Sequence, residues 1–168
     1  MENPAKVKSM IKVLMICHGN ICRSAAAEVV FNQLARQAGL EGRLRADSAA
    51  ATREEIGNDI YPPMKRALLG CGYACPPPAA RQTTRADYAK YDHIVGMDDE
   101  NLWDMRRIYG GDPAGKLSYL MDWAGQPGRN VEDPWYTRNF DGVLAQIEAG
   151  CRGLLNALLM SQKKEGRA

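Results

Sequence analysis

Metal-ligating side chains are scarce in this sequence. Only two histidines occur, His18 and His93, and the five cysteines (17, 22, 71, 75 and 151) follow no zinc spacing and, being odd in number, close no disulfide framework. A metal centre is therefore not expected. Nor is there an excess of one charge: 22 Lys and Arg against 20 Asp and Glu leave a net charge of +2. That balance lends no support to nucleic-acid binding or to attraction to an anionic membrane. The chain also lacks an apolar run near the roughly 18 residues of a spanning helix, and the polar residues 1–10 hold no signal-peptide core. They read as a ragged terminus of a cytoplasmic protein. At 168 residues the chain is long enough for one well-buried core and short for two. One domain over residues 1–160 is expected, followed by a solvated basic tail at 161–168.

What is present is concentrated in residues 13–28. The apolar run from Val13 to Ile16 suits a strand buried on both faces; it stops at Cys17, and Gly19 and Asn20 then let the chain turn. A helix follows, with Ser24 as candidate cap, Ala25, Ala26 and Ala27 as strong helix formers, and Ala27, Val30, Phe31, Leu34 and Ala38 on one face before Gly39. Strand, loop and helix N-terminus surround the loop with backbone N–H groups and the positive end of a helix dipole, which makes an anion site. Cys17 at the strand end faces that anion. Arg23, six positions later, can fold its planar guanidinium over a phosphate and grip two oxygens. Such surroundings favour a thiolate, and the Ser24 hydroxyl is placed to donate to the sulfur.

The Cys-x5-Arg spacing is weak alone, because Cys75 and Arg81 share it. There Pro76, Pro77 and Pro78 remove three of the N–H donors a phosphate needs, so that match is a decoy. Between Cys17 and Arg23 every residue keeps its N–H. Cys22 shares this loop and leaves two readings open: a thiol that captures an oxidised Cys17 as a disulfide, or a small residue packed behind the loop. Cys151, at an apolar helical position, reads as core.

Further along, residues 43–47 suit a second strand ending at Ser48, 52–63 a loop, and 64–69 a short helix. Residues 81–91 hold one helical turn begun by Thr84, before a third strand at 93–97. Asp98 and Asp99 are read as caps of a helix over 100–109 in preference to groups acting on substrate. A fourth strand covers 116–120, a long irregular segment 121–139, and a final helix starts at Asn139 or Asp141, with Val143, Leu144, Ile147, Cys151 and Leu154 at helical spacing. Strands separated by helices predict an α/β fold, a four-stranded parallel sheet flanked by helices on both faces, with Cys17, Ser48 and Asp98 along one edge.

A loop as long as 121–139 is usually functional. In it, Pro134 forces Asp133 into extended geometry, and Trp135 and Tyr136 add two aromatic faces. Folded over the Cys17 loop, these residues would bring a carboxyl and a flat apolar wall to the anion site, suiting an aromatic phosphate ester. The alternative is an Asp-Pro turn entering the last helix, with Trp135 in the core.

Cys17-His18-Gly19-Asn20-Ile21-Cys22-Arg23-Ser24, taken with Asp47-Ser48-Ala49-Ala50, Glu55-Ile56-Gly57-Asn58, Ala80-Arg81-Gln82, Met97-Asp98 and Asp133-Pro134-Trp135-Tyr136, resembles the low-molecular-weight protein tyrosine phosphatases over nearly the whole chain. The resemblance implies a flavodoxin-like fold of the phosphotyrosine phosphatase I type, no metal or organic cofactor, phosphotyrosine proteins as substrates, a tyrosine kinase as a partner and inorganic phosphate as product. It implies Cys17 as nucleophile, Arg23 as phosphate clamp, Ser24 as donor to the thiolate and Asp133 as general acid. His18, Gly19, Asn20, Ile21, Cys22 and Ser24 would surround phosphate; Glu54, Trp135 and Tyr136 would meet the rest of the substrate, and Asn20 and Ser48 would hold the loop in shape.

Three positions depart from the family pattern. Pro78 stands where relatives carry a loop-supporting histidine, so that network must be built differently. Glu54 replaces an aromatic, which disfavours acidic peptides. His18 replaces an apolar residue, and either tunes the thiolate or edges the pocket. Three rival functions accompany this reading. A protein arginine phosphatase would carry threonine at Ile21; a thioredoxin-linked arsenate reductase would relay a disulfide through Cys71 and Cys75; a non-enzymatic anion-binding or redox-sensing module would not need both Cys17 and Asp133.

Overall fold

The computed structural model describes residues 10–165. The ragged start read at residues 1–10 therefore falls almost wholly outside the described residues. Strand β1 (Ile11–Cys17) is the spine. It pairs in parallel with β2 (Leu44–Ala50) on one side and β3 (His93–Gly96) on the other, and β4 (Leu117–Tyr119) completes the order β2-β1-β3-β4. The run from Val13 to Ile16 is wholly buried because each face of the sheet is covered. Val13 and Met15 point into a core formed with α1 (Arg23–Gln37) and α6 (Phe140–Glu165), whereas Leu14 and Ile16 point into one formed with α4 (Asp99–Tyr109).

Several elements differ from expectation. β2 runs two residues past Ser48, since Ala49 and Ala50 find register partners in Ile16 and Cys17. Ser48 thus lies inside the strand and not at its end. The residue preceding α1 is Cys22, without a side-chain cap, so Ser24 is not a cap. Ala38 is exposed, and Ala35 takes its place on the buried face. Helix α2 (Pro62–Gly70) starts earlier than expected because Pro62 and Pro63 suit a first turn, whose N–H groups have no intrahelical partner. The turn after Thr84 becomes α3 (Asp87–Lys90).

The segment 121–139 is not structureless. A 3-10 helix (Leu120–Ala124) opens it, held by Asp122, which accepts from the backbone of Tyr119 and Gly128 at 2.9 and 2.7 Å. A single turn, α5 (Pro134–Thr137), lies near its end. Trp135 is 57% exposed, so it is not a core residue. Helix α6 continues to Glu165, through the start of the stretch read as a tail; residues 166–168 lie outside the described set. By length and composition its stretch Phe140–Gln162 could cross a membrane, yet its apolar side, including Val143, Ile147, Cys151 and Leu154, is buried in the core that β1 shares with α1.

Candidate active site

The loop between β1 and α1 turns at Asn20, a non-glycine residue held in the left-handed region at φ 60°. Its side chain justifies that conformation. Asn20 Nδ2 donates to Ser24 Oγ at 3.0 Å and to Ser48 Oγ at 2.8 Å, while Asn20 Oδ1 accepts from the Arg81 backbone at 3.2 Å. Ser24 Oγ lies 3.0 Å from Cys17 Sγ. Because Ser24 already accepts from Asn20, its own proton is left for the sulfur. Ser48 in turn donates to Glu28 Oε1 at 2.8 Å. The chain of donors therefore runs outward from Asn20, to the sulfur on one side and to a carboxylate on the other. Burial pushes the Glu28 carboxyl above its ordinary value, against the Ser48 hydrogen bond.

Arg23 is 4% exposed. Its Nη1 sits 2.8 Å from Asp98 Oδ2 and donates to the Val131 carbonyl at 3.0 Å, and its Nη2 is 3.6 Å from Asp133 Oδ2. Burial alone would favour a neutral guanidinium; Cys17, Asp98 and Asp133 outweigh it and hold Arg23 above its ordinary value. Asp98 also caps α4 by accepting from Asn101 N at 2.8 Å. The capping role read from sequence is present, together with an ion pair that the sequence did not reveal.

Asp133 precedes α5 and accepts from Trp135 N at 3.0 Å. A cavity of about 360 Å3 joins it to the loop, lined by Cys17, His18, Gly19, Ile21, Cys22 and Arg23 with Glu54, Asp133, Trp135 and Tyr136. Asn20 and Ser24 are buried and do not line this cavity, where their side chains support the loop from behind. Asn20 and Ser48 border a separate cavity of about 50 Å3 with Glu28 and Pro78. At the rim, His18 Nε2 is 3.0 Å from Glu54 Oε2 and its Nδ1 3.5 Å from Glu100 Oε1. His18 edges the pocket.

Cys22 is not disulfide-bonded; burial first, and the neighbouring Cys17 next, push its thiol well above the ordinary range. Neither Cys71 nor Cys75 lines the cavity. Among the described residues no group of three or more His, Cys, Asp or Glu could hold a metal ion. The cavity thus offers a sulfur at a helix N-terminus, a buried cation and a carboxyl facing it.

A family model described as low molecular weight phosphotyrosine protein phosphatase matches residues 12–165. The chain belongs to this family. It is 37% identical over 150 residues to the low molecular weight protein-tyrosine-phosphatase YfkJ of Bacillus subtilis, covering 89% of this chain and 96% of that one. To the human low molecular weight phosphotyrosine protein phosphatase it is 36% identical over 154 residues, covering 85% and 92%. The crystal structure of YfkJ superimposes with a TM-score of 0.87 over 92% of this chain and 98% of that chain. A protein tyrosine phosphatase from Entamoeba histolytica, with Hepes in its active site, gives 0.82 at 26% identity over 94% and 99%. The chain is therefore a protein tyrosine phosphatase with the four-stranded parallel sheet expected of one, acting on phosphoproteins.

In this phosphatase the residues that sequence reasoning passed over are Glu28, the ion-pairing role of Asp98 and the Val131 carbonyl. Glu28 had a signal: it falls one helical turn after Ser24 and one before Asn32, on a polar stripe of a helix whose other face is apolar. Val131 had none, because a carbonyl acts there and not a side chain.

Proposed function

We propose that the phosphatase hydrolyses phosphotyrosine in proteins through a phosphocysteine on Cys17. Cys17 Sγ attacks phosphorus in line, forming the P–S bond as the P–O bond to the phenol breaks. Arg23 and the N–H groups of residues 18–22 hold the equatorial oxygens, on which charge develops. Asp133 gives its proton to the departing phenolate, whose conjugate acid has a pKa near 10. Water then attacks phosphorus, Asp133 takes its proton, and inorganic phosphate leaves as the thiolate is restored. The steps use no cofactor or metal. Ser24 donates to the sulfur, and Asn20 and Ser48 keep the loop in register.

One observation carries this reading: buried Arg23 bridges the loop that bears Cys17 and the carboxylate of Asp133, 110 residues apart in sequence from Arg23 itself, within one cavity. Trp135 and Tyr136 form its aromatic side. Glu54, with Glu55 and Glu100 in the same lining, disfavours acidic peptides. The substrates are products of a tyrosine kinase, in the cytoplasm.

Two substitutions test the mechanism. Cys17→Ser abolishes turnover of phenyl phosphate, and Asp133→Asn lowers it by roughly 10²- to 10⁴-fold, the span of a general acid. Unchanged phenyl phosphate turnover in Asp133→Asn would remove Asp133 from the reaction. Parallel assays on a phosphotyrosine peptide, phosphoarginine, and arsenate with thioredoxin decide between this activity and the two related ones.

A further inference from the structure

Among the described residues Arg138 is the second non-glycine one in the left-handed region, at φ 60°, where it ends α5 directly after the turn that Asp133 begins. A branched or long side chain in this region is disfavoured by about 1 kcal/mol or more relative to glycine, so what the side chain touches matters. Arg138 Nη1 donates to Tyr61 Oη at 3.1 Å, and the guanidinium lies over the rings of Tyr61 and Phe140, at 5.7 and 5.5 Å. The Tyr61 ring also meets Trp135, with centroids 5.1 Å apart and planes tilted by 49°. From its backbone, Tyr61 N donates to the carbonyl of Ile21 at 2.7 Å. Ile21 belongs to the loop between Cys17 and Arg23. Tyr61 is thus tied at one end to the anion loop and at the other to both ends of the turn carrying Asp133.

We propose that Tyr61 and Arg138 are positioning residues that clasp the α5 turn to the Cys17 loop and set the distance from Asp133 to the leaving oxygen. The proposal rests on the reading of Asp133 as general acid. Neither residue lines the cavity, so they act through Asp133 and Trp135. The clasp is solvent-exposed on the Arg138 side, and a cation–π contact at such a site contributes modestly. Its loss is expected to loosen the acid without unfolding the turn.

The test compares kcat/KM, which reads the steps up to phosphocysteine formation, for phenyl phosphate and 4-nitrophenyl phosphate. Nitrophenolate leaves with little help from an acid, so an acid held badly costs phenyl phosphate more. In Arg138→Gly, whose glycine suits the left-handed backbone, the melting temperature is expected to hold or rise. The ratio of phenyl to nitrophenyl kcat/KM is expected to fall about three- to tenfold. Tyr61→Leu should act in the same direction, and Tyr61→Phe, which keeps the ring contacts, less. Asp133→Asn is the reference. If it lowers the ratio while Arg138→Gly and Tyr61→Leu leave it unchanged, the clasp proposal is overturned and the acid stands; if Asp133→Asn itself leaves the ratio unchanged, the general-acid reading and the clasp fall together. Equal losses on both esters in the clasp variants would mark a general structural role and also overturn the proposal.

Discussion

Arg23 has its charge met before any substrate arrives. Asp98 at 2.8 Å and the Val131 carbonyl at 3.0 Å fix one side of the guanidinium, and Asp133 approaches the other at 3.6 Å. A cation this buried needs such partners, because removing one leaves part of its desolvation uncompensated. Asp98→Asn keeps an oxygen to cap Asn101 N and loses the charge. The expected result is a fall of about tenfold in kcat/KM for aryl phosphates, with Cys17 still present to form the intermediate. Wild-type kcat/KM in that variant would show that Asp133 and the loop orient Arg23 alone. At this scale the Cys17 loop was legible as an anion site from its residue types and their order, whereas Asp133 also read locally as an Asp-Pro turn and took its role only from the family resemblance. Asp98 was half legible. A carboxylate after a strand reads as a cap, and its second oxygen is free to serve a partner 75 residues away in sequence, which no local pattern displays.

At the scale of elements, long periodic segments were read well and short ones poorly. β1, α1, α4 and α6 each bury a continuous face, and that periodicity is in the sequence. The α5 turn spans four residues and has no period to detect; it exists because Asp133 caps it and Arg138 closes it with a hydrogen bond from its backbone to Pro134 O at 2.8 Å. The end of β2 was misplaced because Ala49 and Ala50 are extended only through their pairing with β1. Packing between elements is equally silent in sequence. Gly153 of α6 lies against the backbone of the 3-10 helix Leu120–Ala124, where an added Cβ would collide with the Trp123 carbonyl. Helix propensity favours Ala over Gly by up to about 1 kcal/mol, whereas forcing a methyl into a packed contact costs roughly 1–3 kcal/mol. Gly153→Ala is therefore expected to lower the denaturant midpoint. A raised midpoint would mean that the 3-10 helix yields to α6 without loss.

For the molecule as a whole, acid should act through the carboxylates that tie connectors to the sheet. Asp87 accepts from Arg81 Nη1 at 3.0 Å, Thr83 Oγ1 at 2.8 Å and Thr84 N at 3.0 Å, holding the chain beside the Ala50–Gln82 bridge. Asp112 accepts from Tyr88 Oη and Lys116 N, both at 2.7 Å, where the chain enters β4. For each, burial works to raise the pKa, and these partners outweigh it and lower it. A folded value below the unfolded one, near 3.9 for Asp, means that the unfolded chain binds more protons in acid. The stabilisation is full above the unfolded value and lost as pH falls through the folded values. Glu28 has the opposite sign: its raised pKa weakens the fold as pH rises from the ordinary carboxylate value through the raised one. The melting temperature is therefore expected to drop below about pH 4, and Asp87→Asn, which removes one of the titrating groups, should be less stable at neutral pH yet show a shallower acid limb. Melting curves of both proteins between neutrality and pH 3 check this, and parallel acid limbs would place the acid sensitivity in groups other than Asp87.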